Sequence, residues 1–360
     1  MKKHAIIPIF IPHKGCPNDC VFCNQRKITA CQAAVTSEDV HKTVETYMST
    51  LGNMNVETIE LSFFGGSFTG IPIEEQREYL QIAKAYKDSG VIQKIHLSTR
   101  PDYINKEILD NLKAFSVDVI ELGVQSFAEP VLKASGRGHN AACVYDACKL
   151  IKEYGFTLGI QLMIGLPDDT LEYDIFSAEE AVSLQPDIAR LYPTVVIRDT
   201  ALWDMMECGQ YKPMDEEDSI VRTAAMYKIL TDAGINVIRV GLKSSDIISD
   251  DSNTAGTFHP AFRQLVEGFL AKESLENQVN ILYPNIKDMF DERYTICPTA
   301  AFVSNAKCYN NMFGHGSQNR KYFENEYPRL NIRYMKDKDL NLSLKDNEYL
   351  VLDLKKIQRS

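Results

Sequence analysis

TLGIQLMIGLPDDTLEYDIFSAEEAVSLQPDIARLY, residues 157–192, decides the fold. Residues 157–163 form an apolar run of strand length, and residues 188–192 form a second. Between them Gly165-Leu166-Pro167 turns the chain, and a helical pattern runs from Thr170 to Leu184. Two buried strands joined by one helix read as a parallel β-α-β unit.

The same unit repeats on both sides. Upstream, strands are predicted at residues 6–11 (IIPIFI), 59–64 (IELSFF), 94–98 and 119–123. Helices are predicted at 36–51, 73–88, 105–115 and 140–154, the first opening with Thr36 and Asp39 at capping-box spacing. Downstream come a helix at 216–233 and a strand at 235–240. Alternation this regular predicts an α/β fold, a partial (β/α)6 TIM-like barrel of parallel strands. A doubly wound sheet is the alternative. The polar stretch KSSDIISDDSNTAGT, residues 243–257, interrupts the pattern. The expected organisation is therefore a core at 1–244 and a small α/β C-terminal extension at 245–360. Within the extension, helices are predicted at 259–270 and 319–327, and strands at 279–283, 330–334 and 348–354.

With 360 residues, 44% hydrophobic, the chain can bury a sizeable core, and intrinsic disorder is excluded. The net charge of −10 gives no overall attraction for phosphate backbones or anionic lipid, though a local basic patch is compatible with it. No stretch reaches the ~18 apolar residues of a membrane span. The N-terminal apolar run is short, contains Pro8 and lacks a small-residue cleavage site. A cytoplasmic protein is expected, in which cysteines stay reduced and clustered ones act as metal ligands or catalysts.

Three of the nine cysteines cluster. Cys16, Cys20 and Cys23 stand in GCPNDCVFCNQ, residues 15–25, with C-x3-C-x2-C spacing, directly after the first strand. Three thiolates can hold three irons of a [4Fe–4S] cluster and leave the fourth open for chemistry. A zinc site with His13 as nearest fourth ligand, or one disulfide plus a spare thiol, are the other readings. Cys31, Cys143, Cys148, Cys208, Cys297 and Cys308 lack ligand-like spacing, and most of them read as small buried hydrophobes.

Such folds place chemistry at the C-terminal ends of their strands. The second strand ends in Phe64-Gly65-Gly66-Ser67, whose glycines permit close backbone approach to a ligand. The third ends in Ser98-Thr99-Arg100, where Arg100 suits an ion pair, a carboxylate or a phosphate. The fourth carries Glu121 and, just past its end, Gln125, with Lys133 and Arg137 following in a Gly-flanked basic segment. Gln161 sits inside the apolar fifth strand, where it needs a partner, and Gly165 turns the chain at the rim.

Taken in order, CPNDCVFCNQ, ELSFFGGSFTG, STRPDYI, IELGVQSF, RGHN, IGLP, LYPTVVIRDTALW and GQYKP resemble the radical S-adenosylmethionine superfamily. The nearest resemblance is to the radical domain of the Elongator catalytic subunit, in the bacterial branch without the acetyltransferase domain. The resemblance covers residues 5–243. It implies that Cys16, Cys20 and Cys23 ligate a [4Fe–4S] cluster whose open iron is chelated by S-adenosylmethionine. It implies that Gly65, Gly66 and Ser67 meet the methionine amino group. It places Gln125 and Arg137 at the cofactor's ribose or carboxylate, and Gln161 with the backbone near Ile164 and Gly165 by its ribose and adenine.

Reductive cleavage to a 5′-deoxyadenosyl radical, hydrogen abstraction from a substrate, and an external one-electron reductant of the flavodoxin or ferredoxin type are implied with it. Ser98 stands where many relatives carry Glu, and Gln161 where some carry Asp. RNA is the substrate the resemblance suggests, with a porphyrinogen-like or other small molecule as the alternative. A zinc- or cluster-stabilised binding module, or an electron carrier, would use the cysteines without radical chemistry. In the extension, the segment at 256–263 (GTFHPAFR) reads as a helix start near His259 or as a lid. Lys307, Arg320, Lys321 and Arg329 read as a solvated face or a modest basic surface.

Overall fold

The computed structural model describes residues 4–11, 20–23, 35–52, 55–242, 253–284, 286 and 297–354. All seven apolar runs of the first part form strands: β1 (His4–Ile11), β2 (Thr58–Gly65), β3 (Lys94–Thr99), β4 (Val119–Gln125), β5 (Thr157–Ile164), β6 (Ile188–Pro193) and β8 (Asn236–Val240). A two-residue strand, β7 (Val196–Ile197), precedes β8 and pairs with β9 (Thr254–Ala255). The seven long strands lie in sequence order, every neighbouring pair parallel, in a curled half-barrel sheet. A doubly wound sheet reverses its strand order at a switch point; this one never reverses, so that alternative is excluded.

Helices cross between the strands: α1 (Ser37–Leu51), α2 (Ile73–Asp88), α3 (Lys106–Ala114), α4 (Glu129–Ala134), α5 (Ala141–Glu153), α6 (Leu171–Ser183), α7 (Ala201–Glu207) and α8 (Glu216–Asp232). Their starts follow from local chemistry. The Thr36 hydroxyl accepts from the Asp39 N–H while the Asp39 carboxylate accepts from the Thr36 N–H, a full capping box. Asn105, Asn140, Thr170 and Asp215 each cap a helix through a side-chain oxygen. The short α4 and α7 escape sequence reading because two turns carry too little periodicity.

The pleat divides the sheet chemically. Ile59, Leu61 and Phe63, Ile95 and Leu97, Ile120 and Leu122, and Leu158, Ile160 and Leu162 form one wholly apolar, buried face. The alternate positions carry Glu60, Ser62, His96, Ser98, Glu121, Gln161 and Arg190.

Two compact units divide at residues 258 and 259. The second has its own core, built on α9 (Phe262–Leu282), β10 (Thr299–Ser304), α10 (Gln318–Glu326), β11 (Asn331–Lys336) and β12 (Tyr349–Asp353). The strand expected at 279–283 is instead the last turn of α9. Leu275 and Val279 continue the four-residue spacing of buried Ala271, and the Tyr283 N–H closes the helix on the Val279 carbonyl. β10 pairs parallel with β11 and antiparallel with β12. His259 accepts from the Ala261 N–H at 3.0 Å, just before α9. Lys307 pairs with Asp346 and Arg320 with Glu324, so acidic partners neutralise half of the basic set noted above.

Candidate active site

Cys20 is buried and Cys23 half-buried, and no disulfide joins them. Cys16, His13 and Cys31 lie outside the described residues. The short segment is pinned on both sides. The Cys23 N–H closes a turn on the Cys20 carbonyl at 2.9 Å. The Val21 N–H donates to the Ser135 carbonyl at 3.0 Å, and the Val21 carbonyl accepts from Leu202 N–H at 2.8 Å.

Arg137, on the loop after α4, reaches this segment. Its Nη1 donates to Cys20 Sγ at 3.5 Å, and its Nη2 donates to the Gly123 carbonyl at the end of β4. Its Nε donates to His139 Nε2 at 3.1 Å, so that nitrogen must be unprotonated. Burial and the adjacent Arg137 charge push the His139 imidazole down to about 4, in keeping with that role. A cavity of about 640 Å³ opens beside the pair, lined in part by Lys133, Arg137, His139 and Cys143.

The glycine motif sits at the same end of the sheet. Gly65 has φ 116°, and a Cβ there would lie 2.3 Å from the Ile11 carbonyl oxygen. The Gly66 N–H donates to that same oxygen at 3.1 Å. Only glycine lets β2 finish this close to β1. Ser67 is buried directly behind. Gln125 has φ 71° at an irregularity in the β4–β5 register, and its Oε1 lies 3.5 Å from Gln161 Nε2, at the long limit of a hydrogen bond. The partner demanded by Gln161 is therefore Gln125.

Gly165 has φ 76°, its N–H donates to Asp169 Oδ2 at 2.8 Å, and its carbonyl accepts from the Tyr211 hydroxyl at 2.6 Å. It lines a cavity of about 220 Å³ together with Asp169, Tyr211, Lys212 and Met214. Arg222 binds both Asp169 and Asp174 there. Burial and the Asp169 charge drive Asp174 well above the usual carboxylate range. Arg100 is a buried residue paired bidentately with Asp102 at 2.9 Å, the ion-pair reading of that position.

Beneath these rim residues lies a charged layer that sequence reading missed, apart from naming Glu121. His96 Nδ1 is 2.6 Å from Glu60 Oε1, its Nε2 is 3.5 Å from Glu121 Oε2, and Arg190 Nε is 2.8 Å from the same oxygen. The two contacts to Glu121 are close enough for ion pairing but out of line for hydrogen bonds. Glu121 Oε1 has no hydrogen-bond partner among the described residues. Arg190 also lies over the Phe64 ring, 5.0 Å from its centroid. Burial opposes every one of these charges. The His4 and His96 hydrogen bonds nevertheless hold Glu60 below its ordinary value, and Arg190 and His96 hold Glu121 below its own. The two carboxylates in turn hold His96 above its ordinary value. The available signal was a charged residue at alternate positions of otherwise apolar strands (IELSFF, KIHLST, VIELGVQ, IARLYP).

Cys148 and Cys308 are buried, as expected, and burial pushes the Cys148 thiol up to about 12. Cys208 departs from that expectation, being exposed at the end of α7, and Cys297 is half-buried. No helix among the described residues is long and apolar enough to cross a membrane.

A curled parallel half-barrel with thiols after its first strand and a glycine motif after its second defines a class of protein. Two family models match it: the Radical SAM superfamily over residues 10–177, and the Radical_SAM C-terminal domain over residues 186–272. The chain carries both domains of a radical S-adenosylmethionine enzyme and is homologous to Elongator complex protein 3.

Among curated relatives, Elongator complex protein 3 of Homo sapiens is 29% identical across 54% of this chain and 41% of that protein. The tRNA uridine(34) acetyltransferase of Methanocaldococcus infernus is 29% identical across 53% of this chain and 41% of that protein. The chain thus spans about two-fifths of the length of the curated relatives it matches. A solved structure of archaeal Methanocaldococcus infernus Elp3 with an N-terminal deletion aligns with a TM-score of 0.59 at 22% identity, covering 76% of this chain and 64% of that one.

The superfamily implies a [4Fe–4S] cluster and S-adenosylmethionine. The described residues fit the cluster. Cys20 and Cys23 are unoxidised thiols on an anchored turn, and a guanidinium stands against Cys20, where it would offset thiolate charge.

Proposed function

We propose that Cys16, Cys20 and Cys23 hold a [4Fe–4S] cluster, and that the chain uses it with S-adenosylmethionine to modify an RNA base by hydrogen abstraction. When bound, the reduced cluster would supply the one electron for reductive cleavage of S-adenosylmethionine, the source of hydrogen-abstracting power. The protein supplies the frame. Gly65 and Gly66 bring the end of β2 against the end of β1, where carbonyl groups of the glycine turn would accept from the methionine amino group. Gln125 and Gln161, bonded to each other, offer amide groups at the end of β4 and inside β5 for a ribose. Gly165, held by Asp169 and Tyr211, lines the cavity at the β5 rim that would seat a flat ring.

The observation that carries the reading is the meeting of Cys20 with the end of β4 through Arg137. The RNA substrate class rests on the likeness to Elongator complex protein 3 and to the tRNA uridine(34) acetyltransferase. The electron is expected from a flavodoxin- or ferredoxin-type reductant.

Anaerobic reconstitution tests this. The expected product is a brown protein with about four irons per chain that releases 5′-deoxyadenosine when reduced with S-adenosylmethionine. Cys16→Ser, Cys20→Ser and Cys23→Ser should each lose the iron, while Cys143→Ser should keep it. A colourless chain carrying one zinc would overturn the reading. Cluster without S-adenosylmethionine binding would leave an electron carrier. Release of 5′-deoxyadenosine stimulated by a porphyrinogen but not by tRNA would replace the RNA substrate with a small molecule.

A further inference from the structure

We infer that Arg137 is the hydrogen-bond donor that sets the potential of the cluster through Cys20 Sγ, and that His139 is its positioning residue. The inference rests on the cluster reading above and goes beyond it, because the resemblance alone places Arg137 at the cofactor. Every nitrogen of this guanidinium has a partner within the chain: Nε on His139 Nε2, Nη2 on the Gly123 carbonyl, and Nη1 on Cys20 Sγ. The group is planar, so fixing two of its edges aims the third. His139 fixes one edge from two residues away, and a backbone carbonyl at the end of β4 fixes the second. What remains is aimed at sulfur.

Arg137 and His139 are both buried. In such surroundings a cation 3.5 Å from sulfur is weakly screened. Donors to a ligating sulfur are among the factors that set iron–sulfur potentials. Reduction adds one negative charge to the cluster, and a fixed cation stabilises the reduced form more than the oxidised one. The guanidinium therefore raises the potential and makes the cluster easier to reduce. His139 does this at a distance: its ring nitrogens meet Arg137 Nε and the Asn140 carbonyl, and it acts by orienting Arg137.

The test is a redox titration of the reconstituted full chain, followed by electron paramagnetic resonance without S-adenosylmethionine, with iron counted in parallel. Arg137→Gln should lower the reduced-to-oxidised ratio at a fixed poise about tenfold, or ~59 mV for a one-electron couple. His139→Leu should shift it the same way by less, because the charge stays but loses its aim. His139→Gln, whose side-chain oxygen can accept from Arg137 Nε, should restore it. Should Arg137→Gln fail to fold or load iron, the two His139 variants decide the matter, since they keep both the Arg137 charge and the cysteines. Iron-loaded Arg137→Gln or His139→Leu with an unshifted potential overturns this assignment and leaves the cluster reading standing. A shift that His139→Gln does not reverse overturns the positioning role. A wild-type chain that takes up no iron overturns both.

Discussion

At the scale of single residues, the two rim glycines differ in what surrounds them. A methyl group at Gly65 would collide with a backbone oxygen, the Ile11 carbonyl, at φ 116°. At Gly165 it would meet the terminal methyl and sulfur of Met214, which can swing aside, at φ 76°. Gly65→Ala should therefore cost clearly more than ~1 kcal/mol in urea unfolding and should also reduce iron retained per chain, because the displaced β1 end leads into the cysteine loop. Gly165→Ala should cost less and leave the iron content unchanged. Equal losses in both variants would refute the contrast. The cysteine spacing and Gly-Gly pair were legible in the sequence because each motif is local. The pairing of Arg137 with Cys20 was not, since 117 residues separate them.

At the scale of elements, four strands each contribute one charged group to a buried layer. Removing one member strands the others, and breaking such pairs typically costs ~3–5 kcal/mol. Glu121→Gln should fall in that range by urea unfolding, because it leaves Arg190 and His96 without their shared carboxylate. The layer also sets a pH window. His96 is held above its ordinary 6.5, so its contribution is complete below that value and fades as pH rises through the raised one. Glu60 is held below its ordinary 4.5, so its contribution is complete above that value and fades as pH falls through the lowered one. The layer stabilises fully between about 4.5 and 6.5. The melting temperature should drop as pH rises beyond that window, and His96→Gln should flatten the drop. A wild-type profile as flat as the variant's would contradict the assignment. Sequence reading found each of these strands and overlooked what they share, because one charged residue in an apolar run is unremarkable until its neighbours are known.

At the scale of the whole molecule, the net charge of −10 limits how the proposed RNA substrate would be held. A polyanion gains nothing from the average surface, so affinity must come from a few local contacts and from shape. Measured across salt concentrations, tRNA binding should show a shallow slope of roughly −1 to −3 in log affinity against log salt, at ~0.7–0.9 per neutralised phosphate. Unstructured RNA of equal length should bind more weakly than folded tRNA. A steep slope with equal affinity for any RNA would mean generic phosphate binding. The second unit adds its own core of α9, β10 and α10 side chains.

The sequence by itself determined the alternation of strands and helices, because hydrophobic period and helix caps are written within windows of a dozen residues. It determined the cysteine spacing for the same reason. It misread residues 279–283, where a short apolar run suits strand and buried helix alike. Only the tertiary structure decided which polar residues face one another. Parallel crossovers set successive strands side by side in a register that no local window encodes. That register brings Glu60, His96, Glu121 and Arg190 into one buried layer, and the packing of the loops carries Arg137, bonded to His139, to Cys20.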